Sequence, residues 1–235
     1  MIALDVAGGI ATVTLDRPAA RNALPTAGWR ALADLLARVP ADAAALVVAS
    51  STPGVFSAGA DLADLARLVD DVPARTAFRQ AMQDAVEALA ALPMPTVAAV
   101  GGAAFGAGVA LALACDVIVA GADARFSIPP ARLGIGYPAG DVARLIARVG
   151  KGQAARLLFT AAPVDAAEAL RIGLADLSGD GVDVARTIAA NDADALRLLK
   201  NTLRSPHDSS LSAAFEASFG SPAFANGVAR YRRPS

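Results

Sequence analysis

The strongest claim to chemistry in this sequence belongs to main-chain amides. Phe56-Ser57-Ala58-Gly59-Ala60-Asp61-Leu62 and Gly101-Gly102-Ala103-Ala104-Phe105-Gly106-Ala107-Gly108 each stand between a strand-like run and a helix-like run. Small side chains let a ligand approach the backbone closely. The first turn of a helix also carries N–H groups without intrahelical partners, at the positive end of the dipole. Two such turns facing one another would aim two amides at one oxygen, the requirement for stabilising an oxyanion or an enolate. Either turn alone also reads as tight packing.

Side-chain devices are excluded more directly. The single histidine, His207, sits in a polar Ser205-Pro206-His207-Asp208 stretch and reads as an exposed loop residue, so a Ser-His-Asp or Cys-His relay has no base. One cysteine and one histidine cannot build a zinc site, and no metal is expected. Gly150-Lys151-Gly152 is not a phosphate loop, because Leu145 stands at the upstream glycine position and no Ser or Thr follows the lysine. The Gly106-Ala107-Gly108 run fails the dinucleotide pattern at Leu111.

The elements that must position these turns alternate between strand and helix, which gives an α/β class. Ile2 to Ala7 and Ile10 to Leu15 flank Gly8-Gly9 as a hairpin. Thr26 is expected to cap a helix reaching Val39, and Ala45 to Ala49 is a short buried strand. Asp61 opens a helical stretch, and Ala74 to Leu92 is a long helix stopped by Pro93 and Pro95. Strands are expected over Thr96 to Val100, Val117 to Ala120, Ala124 to Ile128 and Leu174 to Leu177. Helices are expected over Gly106 to Ala114, Asp141 (as a cap) to Val149, Lys151 to Thr160 and Asp165 to Ile172, and from about Asp183 onward. No fixed-period repeat is visible, although each strand-and-helix step fits a loose coil. Phe215, Phe219 and Phe224 near the end call for a partner surface.

Composition sets the outer bounds. The 235 residues carry a net charge of −1, with 55% apolar and 18% charged residues, so a sizeable core is expected. The charge balance excludes a nucleic-acid groove as the main business. The lone Cys115 excludes an internal disulfide, reads as a core residue and is compatible with a cytoplasmic location. The opening Met1-Ile2-Ala3-Leu4-Asp5 lacks the basic start of a signal peptide. The longest apolar run, Thr96 to Ala114, is broken by glycines and reads as strand plus helix, so no membrane span is expected.

Taken together in order and spacing, these segments resemble the crotonase superfamily, the enoyl-CoA hydratases and isomerases. Arg17-Pro18-Ala19-Ala20-Arg21-Asn22-Ala23-Leu24 is similar to the family's Arg-Pro-x-x-Arg-Asn-Ala-Leu. Phe56 to Leu62 matches its first oxyanion segment, and Gly106 to Asp116 its second with the following helix. Phe159-Thr160-Ala161 with Asp165 to Leu174 matches a later signature. The resemblance implies a spiral of ββα turns over residues 1–185 and a helical oligomerisation region over 186–235, assembled as trimers or dimers of trimers. It also implies an acyl-CoA thioester as ligand, with no separate cofactor and with the thioester oxygen on the Ala58 and Ala107 N–H groups. Ala58, Gly59, Ala60 and Asp61 would line the acyl-CoA, and Arg21, Ala23 and Leu24 would lie near its nucleotide end. Arg230, Arg232 and Arg233 are candidates for the CoA phosphates.

The same resemblance exposes departures. Hydratases of the family carry two glutamates, and their positions here hold Ala110 and Pro130. Some isomerases and dehalogenases use an aspartate at the position of Pro138. None of the three can transfer a proton. Tyr137 stands where decarboxylases of the family have a tyrosine, and Asp141 lies close by in sequence. Three readings stay open: hydratase/isomerase chemistry by other groups, decarboxylation using Tyr137, and acyl-CoA binding without turnover.

Overall fold

A computed structural model of the chain describes residues 1–231. β1 (Ile2–Ala7) and β2 (Ile10–Leu15) form the expected hairpin, with Ala7 opposite Ile10. Then follow α1 (Thr26–Leu36), β3 (Ala45–Ser50), β4 (Val55–Ser57), α2 (Leu62–Arg67), α3 (Val72–Ala91), β5 (Thr96–Val100) and β6 (Ala103–Phe105). After these come α4 (Ala107–Leu113), β7 (Val117–Ala120), β8 (Arg125–Ser127), α5 (Ala139–Thr160), β9 (Val164–Asp165), α6 (Ala166–Arg171) and β10 (Leu177–Ser178). Four helices follow among the described residues: α7 (Gly181–Ala189), α8 (Ala193–Arg204), α9 (Ser210–Ser218) and α10 (Pro222–Tyr231).

The strands sort into two sheets, in the orders β1-β2-β3-β5-β7-β10 and β4-β6-β8-β9. Each step of the chain lays one strand in the large sheet (β3, β5, β7) and the next in the small sheet (β4, β6, β8), all parallel within their sheets. A helix then carries the chain to the next step, which makes a spiral of ββα turns. Alternation along the strands divides the core. Leu46, Val48, Ala98 and Ile118 face the main core, while Ala45, Val47, Val97 and Val119 pack with Ala185 of α7 on the other face. Residue 185, where the sequence reading ends the spiral, therefore lies inside a helix that covers the large sheet. α4 is buried at every position, as expected for a helix apolar on all sides.

The structure corrects several local expectations. β4 and β6 lie inside segments that read as turns; three residues of mostly small side chains leave no alternation to detect. Thr26 begins α1 rather than capping it, and its N–H and hydroxyl donate to Asp64 of α2. Asp141 is not a cap either, because α5 starts at Ala139 with Pro138 before it. The two helices expected on either side of Gly150 are one run, kinked where that glycine takes φ 73° and ψ 161°. The last strand is Leu177–Ser178, and Leu174 is a core residue instead.

The final helices are tied to the spiral by a buried lysine. Lys200 of α8 is 3% exposed, and its ammonium lies 2.6 Å from the Asp116 carboxylate and 2.6 Å from the Met94 carbonyl. Beyond it, Phe215, Phe219 and Phe224 stack edge to face and stay exposed. No helix among the described residues is long and apolar enough to cross a membrane.

Candidate functional site

The two small-residue turns meet main chain to main chain. β4 pairs in parallel with β6, Val55 beside Ala103 and Ser57 beside Ala104. A Cβ on Gly59 would fall 2.6 Å from both the Ala107 nitrogen and the Phe105 carbonyl oxygen, and one on Gly108 would fall 2.3 Å from the Ser57 carbonyl oxygen. Gly59 also holds φ 89°, so only glycine fits there without strain.

The Arg17–Leu24 segment braces the first turn. Asn22 is fully buried at φ 57°, and its amide donates to Ser50 and to the Phe56 carbonyl. The Arg17 guanidinium donates to the Ala23 carbonyl and to Asp61. Asp61 in turn caps α2, accepting from the Ala63 and Asp64 N–H groups. The Arg17 hydrogen bond, above all, holds the Asp61 carboxyl below the usual carboxylate range. Leu24 and Gly59 serve through the backbone, with Leu24 N–H donating to the Gly59 carbonyl and Asp61 N–H to the Leu24 carbonyl.

Beside these turns opens a cavity of about 1080 Å³. Arg21, Ala23, Ala58, Ala60, Asp61, Ala107 and Tyr137 line it, so most of the residues singled out from the sequence are brought together. Gly59 and Leu24 stand behind the lining, and Arg230 lies elsewhere on α10. Arg232 and Arg233 fall outside the described residues. Pro130 and Pro138 line the cavity, whereas Ala110 is wholly buried in α4.

The two amides differ in state. Ala107 opens α4, and its N–H finds no acceptor among the described residues. The Ala58 N–H instead donates to the Arg21 carbonyl at 2.9 Å. Among the described residues the Ala107 N–H is thus open, while the Ala58 N–H is engaged by the neighbouring loop.

The cavity lining also holds a charged group, of which the sequence singles out Asp141 but neither Arg144 nor Glu87. Arg144 of α5 lies 2.8 Å from Glu87 of α3 and 3.3 Å from Asp141, and all three line the cavity. Asp141 is 4% exposed, and burial raises its carboxyl above the usual value; Arg144 opposes the shift and Glu87 adds to it. The Tyr137 hydroxyl donates to the Gly106 carbonyl at 3.0 Å. Burial, then the nearby Asp141 charge, pushes that phenol well above its ordinary range. Phe78, Met82 and Val86 bring an apolar stripe of α3 to the same cavity. Their four-residue spacing, with Glu87 one position on, was the available signal, but nothing in sequence tells which face of a helix meets a cavity. Cys115 is no nucleophile: burial, chiefly, lifts its thiol to about 12.

A two-sheet spiral with a cavity beside two glycine-locked turns defines the crotonase class of fold. A family model described as enoyl-CoA hydratase/isomerase matches residues 5–221, and the chain belongs to that family. The short-chain-enoyl-CoA hydratase of Clostridium acetobutylicum is 33% identical over 211 residues, covering 86% of this chain and 80% of that protein. The 2,3-dehydroadipyl-CoA hydratase of Escherichia coli is 36% identical over 214 residues, with the same coverage of 86% and 80%. Among solved structures, an enoyl-CoA hydratase/isomerase family protein from Hyphomonas neptunium superposes with a TM-score of 0.91 at 32% identity, covering 100% of this chain and 96% of that one.

Proposed function

We infer that the chain binds an acyl-CoA thioester in this cavity and stabilises its enolate through backbone amides. The observation that carries the reading is the open Ala107 N–H at the cavity wall, fixed by the main-chain contact at Gly59. Ala58 supplies the second donor once the thioester oxygen replaces or shares the Arg21 carbonyl. Each such donor is worth roughly 3–4 kcal/mol of transition-state stabilisation in related oxyanion sites. CoA enters as part of the substrate, and the reaction calls for no metal or organic cofactor.

Hydration by the family's paired glutamates does not suit this chain, because Ala110 and Pro130 hold those positions. Enolate chemistry with a proton carried by other cavity groups fits better, and isomerisation is its simplest form. A second reading, decarboxylation, is favoured by the Tyr137 phenol beside the Gly106–Ala107 peptide. The exposed aromatic cluster on α9 and α10 supports assembly as a homotrimer or homohexamer, and the single buried free cysteine suits a cytoplasmic setting.

Incubation of the purified protein in D2O with enoyl-, malonyl-type and saturated acyl-CoAs, read by chromatography that separates the double-bond isomers and by mass spectrometry, tests these readings. Isomerised or exchanged thioester supports enolate chemistry, and loss of carbon dioxide supports decarboxylation. Retention without change supports a binding protein. Gain of water by an enoyl-CoA overturns the argument from Ala110 and Pro130, and the absence of both retention and turnover overturns acyl-CoA binding itself.

A further inference from the structure

We propose that Asp141 is the group that moves a proton on the bound acyl chain, with Arg144 and Glu87 as its positioning residues. The proposal rests on the acyl-CoA reading above and names the side chain that reading lacks. Asp141 is the buried carboxylate of the cavity wall, 4% exposed, whereas the Glu87 side chain is 54% exposed and paired with Arg144 at 2.8 Å. One guanidinium thus serves two carboxylates, the tighter contact going to Glu87 and the looser, 3.3 Å, to Asp141. Asp141 keeps lone pairs free for other work, and its burial makes it a stronger base than a solvated carboxylate.

Position agrees with role. Tyr137 is held at the Gly106 carbonyl, whose peptide carries the Ala107 N–H, and the Asp141 charge is close enough to perturb that phenol. The Asp141 carboxylate thus lines the same cavity as Tyr137 and Ala107. The groups facing it are Arg144 on its own helix, Glu87 on α3 and Tyr137 on the preceding loop. In the step itself, an Asp141 oxygen takes a proton from C2 of the acyl group. The C–H electron pair becomes the C1–C2 double bond, and the carbonyl π pair moves to the thioester oxygen at Ala107. Return of the same proton to C2 restores the substrate. In an enoyl chain, removal at one carbon and return at another shifts the double bond with no change in composition.

The test uses butyryl-CoA in D2O, followed by mass spectrometry for deuterium at C2, with equilibrium binding measured in parallel. Wild-type protein is expected to bind and to exchange. Asp141→Asn is expected to bind within about threefold of wild type and to exchange at least about 100-fold more slowly. Glu87→Gln is expected to slow exchange less than Asp141→Asn does and to move the inflection of its pH profile to lower pH, because a negative charge facing Asp141 has gone; a merely structural Glu87 would not shift it. This second variant carries the test if Asp141→Asn does not fold. Exchange unchanged in Asp141→Asn, or an unmoved inflection in Glu87→Gln, overturns the proposal while leaving acyl-CoA binding intact. Wild-type binding without exchange overturns it too, and no wild-type binding brings down the acyl-CoA reading with it.

Discussion

Replacing Gly59 with alanine tests whether the two turns are locked by main-chain contact. The new Cβ would stand 2.6 Å from the Ala107 nitrogen and from the Phe105 carbonyl oxygen, both backbone atoms that no rotamer change can move. It would also force an L-residue to hold φ 89°, which costs about 1–2 kcal/mol. The overpacking adds about 1–3 kcal/mol, for a total near 3 kcal/mol. In a chain of 235 residues that lowers Tm by about 6–12 °C. Gly8→Ala is the control: its φ is +58°, but nothing lies within 4 Å of the added Cβ, so only the backbone penalty applies. Thermal unfolding followed by circular dichroism gives the stabilities, and calorimetric titration with an acyl-CoA gives the affinity. Gly59→Ala is expected to lose more Tm than Gly8→Ala and, unlike it, to weaken acyl-CoA binding by displacing Ala107. Equal losses in the two variants, with equal affinities, would refute the argument that the contact between turns shapes the site.

Three further outcomes follow from the same geometry. Tyr137→Phe removes the hydrogen bond to the Gly106 carbonyl, and both stability in urea and the rate of C2 exchange should fall by the worth of one such bond, about 1 kcal/mol or fivefold in rate; a loss beyond about 100-fold would make the phenol the proton carrier instead. Lys200→Met should cost roughly 2–3 kcal/mol in urea denaturation, less than a fully buried pair because Asp116 remains 33% exposed, and adding Asp116→Asn should recover part of the loss. Asp141→Asn should change the pH dependence of stability. The folded wild type binds more protons than the unfolded chain between about pH 3.8 and the raised native value, so its stability falls as pH rises through that window. The asparagine variant lacks that decline, and the stability difference in its favour should grow from about pH 4 up to the raised native value; a constant difference would mean that the Asp141 carboxyl is not raised.

What could be read from the sequence depended on what the physics of each element leaves visible. The hairpin, β3, β5 and β7 showed themselves through β-prone runs bounded by glycine, proline or polar loops, and α3 through its length and the prolines that stop it. β4 and β6 did not, because three residues such as Ala103-Ala104-Phe105 carry no periodic signal; what makes them strands is pairing with each other and with β8. The backbone part of the site was legible for the same reason that those strands were not. Gly59, Gly102 and Gly108 lack side chains because main chains approach there, and small residues in a fixed order are conspicuous in sequence.

The charged part of the site was hidden because its members lie far apart in the chain and only the fold joins them. Glu87 sits among other exposed charges of α3, and Arg144 looks like one more basic residue on an amphipathic helix. Asp141 reads as a cap from its place before a helical run, yet the cap position falls three residues earlier, at Pro138, and the carboxylate is buried against Arg144. That displacement of three residues, within the usual uncertainty of a helix end, separates a surface cap from a buried base. A site whose amides are written locally and whose acid is assembled from two distant helices can keep its oxyanion geometry while the proton-bearing residue moves.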